Sequence, residues 1–190
     1  MQVSELKNFS LAGGTALALY FGHRKSIDLD LFSPIDFNPE DIASVLEKKF
    51  NGFTYRNTGN PIGLFGFIDN IKVDFVKLNH DLLISKRSIN DGIRIFGLPD
   101  LGAMKINAVL KRAVKKDFWD IAELLKKYSI QELINWYEKK YPSQQLLISI
   151  PQAITYFEDA EESEDPLSLK GQTWESVKKF IRQKVSDFLR

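Results

Sequence analysis

Two aspartates, Asp28 and Asp30, stand one residue apart in the apolar run IDLDLF (Ile27–Phe32), fourteen residues after a glycine pair, Gly13-Gly14. Side chains alternate faces along an extended chain, so the two carboxylates share one face while Ile27, Leu29 and Leu31 take the other. Their Cα atoms are then about 6.6 Å apart, two strand rises. At that range each charge raises the other's pKa unless a cation lies between them. An all-oxygen site of carboxylates and phosphates suits magnesium. The alternation would equally arise if the aspartates lined the solvated side of a half-buried strand.

A third carboxylate, Asp74, sits at the centre of another alternating stretch, Ile71–Phe75 (IKVDF). Were this strand to pair beside the first, Asp74 would complete a triad around one or two metal ions; the sequence leaves that pairing open. Gly13-Gly14-Thr15 opens a run of helix formers. Glycine lets a backbone approach an anion, and a helix start presents unpaired N–H groups with positive dipole character. A triphosphate held there would lie near the metal ions. A strand-to-helix turn also often needs glycine for its own geometry.

The elements that must position these residues are legible in outline. Strands are expected over Phe9–Ala12, Ser26–Phe32, Phe53–Arg56, Leu64–Ile68, Ile71–Val76 and Ile93–Phe96, with Asp69-Asn70 a tight hairpin turn and Asp91-Gly92 preceding the last strand. Helices are expected over Thr15–Phe21 and from Asn38-Pro39-Glu40-Asp41, an N-cap, a first-turn proline and first-turn acids, to about Phe50. Pro99-Asp100 opens a long helical region, Leu101–Lys127, with a break near Ala113. Helical patterns continue over Ser129–Lys140, Ser143–Glu158 and Thr173–Leu189, with an acidic loop from Glu158 to Asp165. Strands gather in the first half and helices in the second, an α+β layout.

The chain of 190 residues is 44% hydrophobic and 27% charged, values of an ordinary globular protein with a real core. It has no cysteine, which excludes disulfide and thiolate chemistry. A net charge of +1 does not by itself announce a nucleic-acid partner. No window approaches the roughly 18 apolar residues that span a bilayer, and no secretory signal pattern is visible. A cytoplasmic protein without a membrane partner is expected.

The glycine pair, D-x-D and later aspartate together resemble the nucleotidyltransferases of the DNA polymerase β superfamily. Within it the chain is most similar to the AbiEii/AbiGii toxin-type enzymes, through LAGGTALAL (Leu11–Leu19), HRKSIDLDLF (His23–Phe32) and KINAVLKRAVKKDFWD (Lys105–Asp120). The resemblance implies a mixed-sheet nucleotidyltransferase core with flanking helices over residues 1–98 and a helical region over 99–190 packed on it. It implies that Gly13, Gly14 and Thr15 cradle nucleotide phosphates and that Asp28 and Asp30 bind Mg2+ or Mn2+. Asp74 would be the third carboxylate, a ligand or the base for the incoming hydroxyl, and Arg24 and Ser26 would contact phosphate or brace the aspartate strand. Lys105, Arg112 and Lys116, spaced seven and then four apart, would form a basic helix stripe aimed at the triphosphate; a solvated cationic face explains the same spacing. Asp117 and Asp120 would orient those cations or be ordinary surface acids.

The implied reaction moves a nucleoside monophosphate from a nucleoside triphosphate to an acceptor. The resemblance points to toxins of toxin–antitoxin or phage-defence systems, some relatives modifying tRNA acceptor ends, so the expected acceptor is a tRNA-like RNA and the expected partner a cognate antitoxin. A small molecule or protein as acceptor, or a binding module without turnover, remain alternatives. Relatives often carry a longer C-terminal region, which bears on substrate choice. His23 reads as a turn or capping residue, and His23 with His80 is too few for zinc. Aromatics such as Phe118, Trp119, Trp136, Tyr137, Tyr156, Phe157 and Trp174 read as core, and the C-terminal lysines as a solvated helical surface.

Overall fold

The computed structural model describes residues 3–78 and 83–190; His80 lies outside them. The chain enters through β1 (Ser10–Ala12), α1 (Gly13–Phe21), β2 (Leu29–Ser33) and α2 (Pro39–Lys49). It continues through β3 (Phe53–Tyr55), β4 (Gly63–Ile68), β5 (Ile71–Lys77), β6 (Ser88–Asn90) and β7 (Ile93–Ile95). The second half is helical: α3 (Leu98–Lys111), α4 (Lys115–Leu125), α5 (Ile130–Lys140), α6 (Ile150–Thr155) and α7 (Trp174–Phe188). The α+β layout expected from the sequence is the one observed, and the strands form a seven-stranded mixed sheet in the order β3-β4-β5-β2-β1-β7-β6.

Turn chemistry decides where the chain folds back. Asp69 and Asn70 both take left-handed φ, 49° and 67°, which matches the twist of a two-residue hairpin between β4 and β5. Asp91 and Gly92, at 48° and 76°, repeat the device and add β6, a strand too short and polar to show a sequence period. Asn38 caps α2 by accepting from the Glu40 amide, as expected.

Register then sorts the sheet's two faces. Leu11, Leu31, Phe75 and Leu64 are lateral partners across β1, β2, β5 and β4, and all four are buried. The next lateral row, Ala12, Asp30, Asp74 and Phe65, belongs to the opposite face because strands have a period of two. An apolar row thus anchors the strands while its neighbour presents carboxylates. Helix α2 covers β3 and β4 with Ile42 and Leu46.

Three expectations are corrected. The strand expected over Ser26–Phe32 begins at Leu29, and Ile27, expected on the core face, is 71% exposed, because residues 26–28 are held by Thr15 rather than by a ladder. The helix expected over Ser143–Glu158 is reduced to α6: Ser149 and Gln152 form a capping box, and Pro151 is accommodated only in the first turn, where no amide is needed. His23 neither caps nor turns; it is fully buried. The long helix does break as expected, with Ala113 at φ 40° between α3 and α4. One cluster of buried apolar residues runs from Val3 to Val185, with Trp119 and Trp174 stacked at 5.6 Å inside it.

Candidate active site

The β1–α1 turn places backbone directly over a carboxylate. Gly13 has φ 65°, and an ideal Cβ there would overlap Oδ2 of Asp30 and lie 2.9 Å from its Cγ. Both conformation and space demand glycine. Gly14 serves a different neighbour: a Cβ would overlap the Nη2 of Arg24. The hydroxyl of Thr15 lies 2.8 Å from Ser26 Oγ and donates to the Asp28 carbonyl, so it shapes the segment that carries Asp28.

Asp30 and Asp74 are register partners on parallel strands, on one face. Asp74 is 7% exposed; its Oδ2 pairs with the Lys72 ammonium, while its buried Oδ1 has no hydrogen-bond partner among the described residues. Burial, and then the charge of Asp74, raise the pKa of Asp30 above the ordinary value, against the opposing pull of Lys72 and Lys105. Burial works to lower the pKa of Lys72, but its hydrogen bond to Asp74 and the charges of Asp74, Asp30 and Asp28 leave it raised. Asp28 precedes the ladder, half exposed, with the Lys116 ammonium 4.0 Å from its Oδ2. A cavity of about 360 Å³ opens beside it, lined by Arg24, Ser26, Asp28 and Lys116 among others.

Behind this face lies a buried ionic network. Arg24 grips Asp120 with two hydrogen bonds of 2.8 and 2.9 Å, and His23 Nε2 meets the same carboxylate at 2.7 Å. Lys105 bridges Asp117 and Asp120 at 2.7 and 2.8 Å, and Arg112 reaches Asp117 at 3.2 Å. Burial works to raise both aspartates' pKa values, but Lys105 and the other cations hold them below the usual carboxylate range. The network fastens α3 and α4 to the loop before β2, and that loop is further strapped by Lys25 and Leu169 amides bonded to the Leu167 and His23 carbonyls.

Comparison with known proteins gives the family. The family model described as "Nucleotidyl transferase AbiEii toxin, Type IV TA system" matches residues 1–187. The chain belongs to the AbiEii nucleotidyltransferase toxin family. The uncharacterized protein aq_aa25 of Aquifex aeolicus is 35% identical over 190 residues, covering 96% of this chain and 88% of its own. The fold matches JHP933 from Helicobacter pylori (TM-score 0.60, 17% identity, 97% of this chain and 85% of that one). It also matches MenT4, the nucleotidyltransferase toxin Rv2826c of Mycobacterium tuberculosis H37Rv (TM-score 0.57, 17% identity, 95% and 76%).

In this AbiEii family member the expected site residues divide into three groups. Gly13, Asp28, Asp30, Asp74 and Lys116 gather at the sheet face. Gly14, Arg24 and Lys105 belong to the network beneath it, and Thr15 and Ser26 to the brace between. The basic stripe is corrected: Lys105 is 5% exposed and ion-paired, Lys105 and Arg112 both meet Asp117, and the break at Ala113 puts Lys116 on a separate helix, so the three do not form one exposed stripe. Asp117 and Asp120 are not surface acids; they orient the cations. Lys72 and His23 were missed as partners, because neither a strand lysine nor a single histidine carries a spacing signal. Among the described residues no group of three His, Cys, Asp or Glu side chains is gathered closely enough to hold a metal ion, Lys72 standing beside Asp74 instead. No described helix is long and apolar enough to cross a membrane.

Proposed function

We propose that the protein transfers a nucleoside monophosphate from a nucleoside triphosphate to a hydroxyl of an RNA acceptor, tRNA-like, as the toxin partner of a cognate antitoxin. The observation that carries the reading is the row Ala12–Asp30–Asp74, roofed by Gly13, with one oxygen of Asp74 buried and unpartnered among the described residues. That oxygen and the raised pKa of Asp30 mark a place where added positive charge would be favourable, and hard carboxylate oxygens fit Mg2+ or Mn2+. Asp30 and Asp74 would hold it, with the Lys72 ammonium displaced from Asp74 and Asp28 drawn in from the loop before β2. When bound, divalent cations neutralise the charge that develops on the attacking and leaving oxygens.

The chain's own groups supply the rest. The amides at the start of α1 and the Lys116 ammonium would hold the triphosphate beside Asp28. The acceptor oxygen bonds to the α-phosphorus as the bond to pyrophosphate breaks, and the acceptor's proton passes toward the free oxygen of Asp74. The network under Gly14 fixes the loop that carries Asp28.

Purified protein incubated with Mg2+ or Mn2+, total RNA and each α-labelled nucleoside triphosphate tests this. Label is expected on a tRNA-sized band and should be absent with Asp28→Asn/Asp30→Asn. Label on protein or on small molecules but never on RNA would overturn the acceptor assignment; no label anywhere would overturn the transfer itself.

A further inference from the structure

The face that carries Asp74 continues outward into two exposed or half-buried aromatic rings. Phe65 is the register partner of Asp74, so the lateral row through the carboxylates reads Asp30, Asp74, Phe65. One period along, the row reads Lys72, Phe67, Thr54. All of these side chains share one face, and strands lie about 4.8 Å apart. Phe65 therefore stands one strand from Asp74 and two from Asp30, and Phe67 one strand from Lys72. Phe67 is 49% exposed, whereas the core rows of the same hairpin are buried on the opposite face. A cavity of about 610 Å³ opens over this surface, and the loop leading from β3 to β4 lends it Arg56 and Asn60. It shares no lining residue with the cavity beside Asp28.

We propose that this cavity is the acceptor subsite, holding the unpaired terminal nucleobase of a single-stranded RNA end against Phe67 and Phe65, with its backbone phosphate met by Arg56 and Lys72. The inference rests on the nucleotidyl-transfer reading above and assigns the second substrate its place. An exposed aromatic on a sheet face, flanked by cations and amides, is the chemistry that recognises splayed bases and their phosphates. Of the triphosphate features, Gly13 and the start of α1 lie over Asp30, at the other end of the carboxylate row, and Lys116 lies beside Asp28. Two substrates that react at one phosphorus must enter from different sides, and each cavity is lined by one of the carboxylates, Asp28 in one and Asp74 in the other. A base stacked on Phe65 and Phe67 places its own ribose hydroxyl within one nucleotide of Asp74.

The test is equilibrium binding by the full chain, followed by fluorescence anisotropy of a labelled single-stranded oligoribonucleotide with a free 3′ hydroxyl, beside binding of an α-labelled nucleoside triphosphate. Phe67→Ala should weaken the oligoribonucleotide roughly 5- to 150-fold, the range of one base stack, and leave triphosphate binding within about twofold. Phe67→Tyr, which keeps the ring, should restore affinity. Weakened triphosphate binding, alone or together with weakened RNA binding, would overturn the assignment and give the cavity to the incoming base. So would an unchanged oligoribonucleotide affinity, or none for the wild type. Label transfer by the wild type with an acceptor KM indifferent to Phe67→Ala would refute the subsite and leave the transferase reading standing. Absence of transfer would refute that reading, while the binding comparison still decides the subsite.

Discussion

Asp120→Asn removes one negative charge from a group in which His23, Arg24 and Lys105 all converge on the same buried carboxylate, at 2.7 to 2.9 Å. Arg24 and Lys105 would then share Asp117, which already serves Arg112. Removing one partner of a buried ion pair costs about 3–5 kcal/mol, because the charges left behind stay desolvated. For a chain of this size that lowers Tm by roughly 6–20 °C. The same substitution at Asp30 should have the opposite sign. Its charge is disfavoured by burial and by Asp74, so Asp30→Asn should be neutral or stabilise by up to about 1 kcal/mol while abolishing transfer. pH separates the two further. Asp120 has a folded pKa below its unfolded one, so its contribution is complete above about pH 4 and is lost on acidification toward the folded pKa. Asp30 has a raised folded pKa, so its penalty is present at neutral pH, fades as the pH falls through that raised value and is gone below the ordinary carboxylate value; the gain from Asp30→Asn should fade with it. Thermal unfolding followed by tryptophan fluorescence at several pH values reads both. An Asp120→Asn variant within about 2 °C of wild type, or an Asp30→Asn variant as unstable as Asp120→Asn, would refute the division between network and site.

Gly13→Ala forces a side chain into left-handed φ, a penalty of roughly 1–2 kcal/mol, and drives its Cβ into Asp30; a lower Tm and loss of nucleotidyl transfer should appear together. Lys72→Met should tighten the binding of Mn2+, measured by calorimetry, if the ammonium holds the place a divalent cation takes beside Asp74; weaker binding would show that Lys72 helps instead. Asp100 is buried and accepts from the Ile84 and Ser85 amides, the Ser85 hydroxyl and the Lys140 ammonium. Asp100→Ala should therefore cost about 3–5 kcal/mol in denaturant unfolding, and adding Lys140→Met should recover part of that.

The sequence by itself determined the local events. Asn38 with Pro39, Ser129 with Glu132 and Thr173 start helices where they stand, because a cap satisfies amides within the first turn. Asp69-Asn70 closes its hairpin because left-handed backbone is a property of those residue types. The glycine pair and the D-x-D spacing likewise carried their chemistry in type and interval. What lay beyond local reach depended on partners distant along the chain. Asp74 joins Asp30 only through the parallel β2–β5 register, across forty-four residues. Lys105 looked like one member of an exposed stripe, yet its two carboxylate partners arrive on a helix redirected at Ala113. His23 and Asp120 meet across ninety-seven residues, and neither bears a mark of it. Phe65 and Phe67 read as ordinary strand residues until register set them beside the carboxylates on the open face. Propensity, capping and turn geometry are short-range and can be read in a window of a few residues; register and the pairing of buried charge are settled by whichever distant segment packs alongside, and only the tertiary structure supplies that.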